Sequence, residues 1–111
     1  INREMGPFVL AMKNARDLAR SGKEVVLVFE DKATALLFEL KDPSRLSTML
    51  FNDLIKARMV IICRTCAMKT NAFFTLDQQK LDKIQVVGEP EMDGHVPMRE
   101  YIDRGFQIIV V

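Results

Sequence analysis

The chain has 111 residues, of which 49% are hydrophobic and 28% are charged, a composition typical of one folded domain that excludes an intrinsically disordered chain. Its 16 Lys and Arg residues nearly balance its 15 Asp and Glu residues, so the net charge of +1 does not indicate a direct nucleic-acid partner. Apolar runs are far shorter than the ~18 residues of a membrane span and no secretion signal is present, so we expect a cytoplasmic protein without a membrane partner.

The first two predicted elements are a helix and a strand. Apolar side chains recur at helical spacing over residues 7–20. Pro7 suits the first helical turn, and Gly22 suits the left-handed residue that follows a helix. The block EVVLVF, residues 24–29, is rich in β-branched residues and lacks alternation, which predicts a strand buried on both faces. The predicted inward face of the helix consists of Phe8, Val9, Met12, Ala15, Leu18 and Ala19.

Two further helices are predicted before the next strand. Asp31 is expected to cap a helix that runs to about Leu40. Pro43 ends this helix because the residue before a proline avoids the helical conformation. Ser44 is expected to cap the second helix. The residues predicted to face inward are Leu36, Leu37 and Leu40 in the first helix and Leu46, Met49, Leu50, Leu54 and Ile55 in the second.

The second half of the chain contains the remaining strands. The block MVII, residues 59–62, predicts a buried strand that ends at Cys63, and a short helix follows it to Asn71, which tolerates the left-handed conformation. A polar turn or short helix is expected at residues 77–83. The other predicted elements are a strand at 84–88, a loop at 89–95, a helix at 97–104 and a closing strand at 106–111.

This alternation of strands and helices predicts a single α/β domain over residues 1–111. Strands without polar alternation belong to a mostly parallel sheet, and the helices between them cover both faces, so the expected architecture is a three-layer sandwich. Such folds usually begin with a strand, whereas this chain begins with a helix. We therefore expect a further strand to precede Ile1 in the native protein.

Cys63 and Cys66 form a C-x-x-C pair that carries the predicted chemistry. Cys63 directly follows a strand, and functional groups gather where parallel strands end. Free N–H groups at the start of the next helix, together with Arg64 and Lys69, are expected to favour a thiolate at Cys63. Such a thiolate can attack a disulfide, a persulfide or another electrophile. Arg64 and Lys69 either steer an anionic persulfide donor or are surface charges.

Other interpretations of the cysteine pair remain open. Cysteine is often buried, so both residues can be ordinary core residues. A structural zinc site needs four ligands and the chain offers one pair and His95, so no metal or other cofactor is predicted within one chain, while a site that bridges two subunits stays open. Thioredoxin-like chemistry is disfavoured because the pair lies past mid-chain and Trp is absent. His95 is either a solvated loop residue or an acid–base partner of Cys63.

The chain resembles the DsrE/DsrF-like family over essentially its whole length. The resemblance is carried by VIICRTCAMKTNAF, by QVVG and IDRGFQIIVV, and by MGPFVLAMKNARDLARSGKEVVLVF. A common family pattern is Cys-Gly-x-Cys followed by Arg-Gly. Here Cys63 and Cys66 match the cysteines, Arg64 replaces the glycine, and Thr70 and Asn71 stand where Arg-Gly would be. The loop EPEMDGHVP is longer than the turn expected from the family.

The resemblance implies a small protein of a sulfur relay. Better-studied relatives carry sulfur as a cysteine persulfide, and the matching residue here is Cys63, with Cys66 as a resolving thiol or a bystander. The resemblance also implies a homo-oligomer, either a trimer or a hexamer, and sulfur-donor and sulfur-acceptor proteins as partners. The alternatives are an oligomeric interaction module with structural cysteines and a dithiol–disulfide switch, so enzymatic activity is left open.

Overall fold

The computed structural model describes residues 8–74 and 76–111, which form a parallel sheet with helices on both faces. The strands are β1 (Val25–Phe29), β2 (Val60–Cys63), β3 (Gln85–Val87) and β4 (Gln107–Val110). The helices are α1 (Val9–Arg20), α2 (Lys32–Ala35), α3 (Leu46–Lys56), α4 (Arg64–Thr70), α5 (Gln78–Leu81) and α6 (Met98–Asp103), with short 3-10 helices at Leu37–Lys41, Ala72–Phe74 and Pro90–Met92. Of the helices in this part of the chain, none has the length and apolar character needed to cross a bilayer.

The sheet has the strand order β3-β2-β1-β4, and its strands are all parallel. In the register of the sheet, Leu27 of β1 lies opposite Val60 of β2, and Ile62 of β2 lies opposite Val86 of β3. The two central strands, β1 and β2, are buried along their whole length. The predicted α/β class and the parallel sheet are therefore confirmed.

The two faces of the sheet are covered unequally because side chains alternate along each strand. Leu27 and Ile62 point to the larger apolar cluster, which α1 and α3 complete with residues such as Met12 and Phe51. The opposite face holds a smaller cluster that includes part of α6 and its preceding loop. Its buried members are Val26, Val28, Ile61, Cys63, Cys66, Val96 and Tyr101. The side chain of Cys63 thus points to the smaller of the two apolar clusters.

The strongest periodic patterns of the sequence form the expected elements. On α1, Val9, Met12 and Ala15 are buried, as predicted. Gly22 has a φ of 92°, the left-handed conformation expected after a helix, and Asn71 takes the same role after α4 with a φ of 58°. The predictions for Pro7 and for a strand ahead of Ile1 lie outside the described residues.

The helix predicted from Asp31 to Leu40 is wrong in its continuity and in its cap. The chain forms α2 and then a 3-10 helix at Leu37–Lys41, because Leu36 between them leaves the helical conformation. Asp31 has a φ of 52° and its side chain makes no capping hydrogen bond. Leu36 was expected to face inward but is 40% exposed, whereas Leu37 and Leu40 are buried.

The start and the inward face of α3 also differ from the prediction. The carboxylate of Asp42 accepts hydrogen bonds from the backbone N–H and the hydroxyl of Ser44, so Ser44 belongs to a turn and Arg45 precedes the helix. Met49 is 52% exposed rather than inward. Because the buried face is rotated toward Phe51, it also takes in two hydroxyl residues; the buried set is Ser47, Thr48, Leu50, Phe51, Leu54 and Ile55.

Candidate functional site

The two cysteines lie where β2 ends and α4 begins. Cys63 is the last residue of β2 and the residue that precedes α4, which places it at the carboxyl edge of the sheet as predicted. Its side chain is 0% exposed, whereas Cys66, one helical turn further on, is 8% exposed. Both thiols are free.

The segment between β3 and α6 brings a histidine to these thiols. The segment closes on itself, since the N–H of Glu89 donates to the carbonyl oxygen of His95 at 3.0 Å and the N–H of Gly94 donates to that of Glu89 at 2.9 Å. The first turn of α4 holds it in place. The N–H of Thr65 donates to the carbonyl oxygen of Gly94 at 3.2 Å, and the Thr65 hydroxyl donates to that of Asp93 at 3.1 Å.

Two glycines allow this close approach. Gly94 has a φ of 84°, and a side chain at this position would collide with the hydroxyl of Thr65. A side chain at Gly88 would collide with the carbonyl oxygen of Gly94 and with Arg64. The loop can therefore lie against α4 only with glycine at both positions.

His95 contacts both cysteines through the same ring nitrogen. Its Nδ1 lies 3.2 Å from Sγ of Cys63 and 3.5 Å from Sγ of Cys66. The three atoms all lie within 4.8 Å of one another. Of the two alternatives for His95, the structure thus has the residue beside the thiols, and its role as an acid–base partner of Cys63 stays a prediction. Because the chain has two cysteines and one histidine, the fold brings together every residue of these types that it contains.

The thiolate expected at Cys63 is not the form that this environment favours. Burial raises the pKa of Cys63 to about 11, and the neighbouring Cys66 side chain and the more distant Glu30 carboxylate act in the same direction. The backbone N–H of Cys66 lowers this pKa in part. The helix start offers less than expected, because the N–H of Thr65 already donates to Gly94. Cys63 is therefore a neutral thiol at pH 7.

The two predicted cationic neighbours lie in different places. The guanidinium of Arg64 donates to the carbonyl oxygen of Val86 at 3.3 Å, so it is engaged with β3 at the exposed side of the sheet edge. Lys69 lines a cavity beside Cys66 and His95. Of the two, Lys69 is thus the one placed to meet an anion that enters the cavity.

A cavity of about 360 Å³ gives access to the site. Besides Cys66, Lys69 and His95, its lining contains Glu30, Asp31 and Thr70, none of which was predicted as a site residue. Glu30 and Asp31 directly follow β1, the neighbour of β2. The rule that selected Cys63, the gathering of functional groups at the ends of parallel strands, would have selected them as well.

A hydroxyl network fixes the base of this cavity. Thr34 is fully buried, and its hydroxyl lies 2.8 Å from the hydroxyl of Thr70 and 3.3 Å from the carbonyl oxygen of Cys66. The Thr70 hydroxyl also lies 3.1 Å from that carbonyl oxygen. Since Thr34 belongs to α2, the network ties α2 to α4 and fixes the backbone that carries Cys66.

The site combines two thiols, an imidazole, a cation and two carboxylates around one small cavity. Such a set can exchange protons, accept sulfur or bind a soft metal ion. Comparisons of the chain with protein-family models, with curated proteins and with solved structures found no match, so the DsrE/DsrF-like resemblance stays a prediction.

Proposed function

We propose that the protein is a sulfur carrier of the DsrE/DsrF-like type, a sulfurtransferase-like protein that holds sulfane sulfur as a cysteine persulfide. The single observation that supports this most is the placement of Cys66 and His95 on one cavity, with Sγ and Nδ1 3.5 Å apart. A nucleophile within reach of a base is the arrangement that covalent catalysis by cysteine requires.

Cys66 is the thiol that meets the donor in this proposal. It lines the cavity and is 8% exposed, whereas Cys63 is 0% exposed and is absent from the cavity lining. Cys63 does not line the cavity, and burial raises its pKa to about 11, which opposes its ionisation. The family resemblance implies Cys63 as the carrier and Cys66 as a resolving thiol or a bystander, and the proposal instead assigns the carrier role to Cys66.

Sulfur transfer then proceeds without net oxidation or reduction. His95 Nδ1 takes the proton of the Cys66 thiol, and the thiolate attacks the terminal sulfur of a donor persulfide, R–S–SH. The S–S bond of the donor breaks as the S–S bond at Cys66 forms, and the leaving thiolate R–S⁻ takes the proton from the imidazolium. The products are Cys66–S–SH and R–SH, and an acceptor thiol removes the sulfur by the same steps. Lys69 attracts a donor whose R group is anionic to the cavity.

Persulfide loading tests the proposal residue by residue. The metal-free, reduced chain is incubated with a low-molecular-weight persulfide, alkylated and digested with trypsin, which cleaves after Arg64 and so separates the two cysteines. We expect one added sulfur atom on the peptide of residues 65–69. The Cys66→Ser variant is expected to lose loading, and the Cys63→Ser variant to keep it and to hold the sulfur longer.

The matched control is the same experiment in denaturant. Loading that depends on the site should fall when the chain is unfolded, because His95 and Lys69 then leave Cys66. Sulfur found on Cys63 alone, on neither cysteine, or equally in folded and unfolded chain would contradict the proposal.

A dithiol–disulfide switch is the second candidate, and the closeness of two free thiols within 4.8 Å favours it. Oxidation would then join the peptides of residues 59–64 and 65–69 through a Cys63–Cys66 bond. A sulfur carrier keeps both thiols reduced at the redox potential of its compartment. Titration of the pair against a glutathione buffer therefore separates the two functions.

In this proposal the protein works in the cytoplasm, where thiols stay reduced. It forms a homo-oligomer, and its partners are a sulfur-donor and a sulfur-acceptor protein. Structural cysteines in such an assembly would instead give an interaction module that takes up no sulfur. Sedimentation velocity distinguishes a trimer or hexamer from a monomer.

A further inference from the structure

We propose that Cys63, Cys66 and His95 together bind one Zn²⁺ ion, with Sγ, Sγ and Nδ1 as the ligand atoms and a fourth position open to the cavity. This site is independent of the sulfur-carrier proposal, since it requires the three donor atoms but no reactive thiol.

The convergence of these three residues is the first argument for a metal. The chain contains two cysteines and one histidine, and their donor atoms all lie within 4.8 Å of one another. His95 is 32 positions from Cys63 and reaches it from a separate loop. Zinc binds thiolate sulfur and imidazole nitrogen, whereas harder cations such as Mg²⁺ and Ca²⁺ prefer oxygen ligands.

The distances agree with tetrahedral coordination. Zinc bonds of about 2.3 Å to sulfur and about 2.05 Å to nitrogen, at a tetrahedral angle, place S and N about 3.6 Å apart. The observed separations from Nδ1 are 3.2 Å to Cys63 and 3.5 Å to Cys66. The two separations from the nitrogen therefore lie within a few tenths of an ångström of the value that a tetrahedral zinc ion requires.

The supporting structure holds the ligands in place. The loop that carries His95 is hydrogen-bonded to Thr65, which lies between the two cysteines in the sequence. The carbonyl oxygen of Cys66 lies within hydrogen-bond distance of the Thr34 and Thr70 hydroxyls. Such fixation lowers the cost of ordering the ligands when the ion binds.

Charge favours Zn²⁺ over Cu⁺, the other soft ion that such ligands take. Two thiolates and a neutral imidazole neutralise a divalent ion, whereas they leave a net negative charge around a monovalent one. The carboxylates of Glu30 and Asp31 line the same cavity and would oppose that residual charge. The open position toward the cavity is that of a zinc site with three protein ligands, which leaves room for a water molecule.

Zinc titration of the chelator-treated, reduced chain tests the site. We expect one Zn²⁺ per chain in competition with a chromophoric chelator. Co²⁺ as a substitute probe should give sulfur-to-metal charge-transfer absorption and the intense visible bands of tetrahedral coordination. Cys66→Ser and His95→Gln should each weaken zinc binding by more than about 100-fold, since even changes outside the ligand set cost 10–100-fold.

Met68→Ala is the matched control. The substitution removes an exposed sulfur that lies on the same helix as Cys66 but does not belong to the three-residue cluster. We expect its zinc affinity to equal that of the unchanged chain. His95→Gln alters a partly exposed loop residue, and circular dichroism verifies that this variant is folded. Zinc binding that survives both ligand substitutions, or a cobalt spectrum without charge-transfer bands, would overturn the proposal. A failure of persulfide loading in the metal-free chain would leave this result unaffected.

Discussion

Cys63 and Cys66 share one helical turn, yet their surroundings give them different chemistry. Cys63 is the inward residue of a buried strand end, and its contact with the smaller apolar cluster is set by the alternation of β2. Cys66 belongs to the same cluster but also borders the cavity. Desolvation therefore acts on Cys63, whereas Cys66 is the thiol that a molecule in the cavity can reach. At the residue scale, burial rather than nearby positive charge decides the protonation of Cys63.

This difference predicts a slow, pH-dependent alkylation of Cys63. The pKa of Cys63 is raised from 9.0 to about 11 by burial, so its thiolate fraction at neutral pH is about 100-fold lower than in the unfolded chain. Trypsin cleavage after Arg64 allows the iodoacetamide reaction of each cysteine to be followed separately in metal-free protein. We expect Cys63 to react at least about 100-fold more slowly when folded than in denaturant.

The sign of the pH effect follows from the same pKa. The folded state favours the protonated Cys63, so the stability that this thiol contributes is fully present below pH 9.0 and is lost as the pH rises toward about 11. The alkylation rate of folded Cys63 should rise about tenfold per pH unit over that interval. A rate that levels off near pH 7 would show that Cys63 is ionised there and would refute this prediction.

The loop between β3 and α6 is the element that completes the site. It supplies His95, and the neighbouring residue Val96 is buried in the same apolar cluster as Cys63. Its position depends on the carbonyl oxygen of Gly94 against the N–H of Thr65. The same contact removes one free N–H from the start of α4. The loop thus brings a base to the thiols and at the same time reduces the anion-stabilising capacity of the helix.

Gly94→Ala tests this role of the loop. Alanine at a φ of 84° is strained, and its Cβ would also collide with the Thr65 hydroxyl, so we expect a loss of about 3 kcal/mol in the free energy of unfolding in urea. Displacement of the loop should also speed the alkylation of Cys63. Gly22→Ala is the matched control, since Gly22 has a φ of 92° with no atom near an added Cβ.

The control should lose only about 1 kcal/mol from backbone strain and leave the alkylation of Cys63 unchanged. Equal losses of unfolding free energy in the two variants would mean that the close approach of Gly94 to Thr65 does not contribute to stability. An unchanged alkylation rate of Cys63 in the Gly94→Ala variant would mean that the loop does not cover this thiol.

The sequence predicted those elements whose signal is local. The spacing of apolar residues is enough to predict α1, β1 and β2. The position of Cys63 directly after an apolar run is enough to place it at a strand end. The inward face of α3 could not be read as surely, because Met49 and Phe51 are both apolar and only packing against the sheet selects Phe51. The raised pKa of Cys63 was equally out of reach, since it depends on burial under residues more than thirty positions away.

On the scale of the whole molecule, the strand order places the site at the centre of the sheet. β2 and β1 are the inner strands, and the residues after each of them, Cys66 and the pair Glu30 and Asp31, line one cavity. Inner strands are hydrogen-bonded on both sides and are the most protected part of a parallel sheet. Cys63 therefore ends one of the most protected strands, and Cys66, Glu30 and Asp31 follow such strands closely, while the histidine comes from a loop.

This architecture predicts an alternating pattern of amide hydrogen exchange in β4, the strand beside β1 at one edge. The N–H groups of Gln107 and Val111 donate to Glu24 and Val28 at 2.7 Å and 2.9 Å, so alternation directs those of Ile108 and Val110 away from β1. In the 111-residue chain we expect Ile108 and Val110 to exchange at least about tenfold faster than Gln107 and Val111 when followed by NMR. The amides of β1 serve as the internal control, because β1 is paired with β2 on one side and with β4 on the other, so no alternation is expected there. Equal protection along β4 would contradict its place at the edge and would indicate that a further strand, such as one from a second copy of the chain, pairs with it.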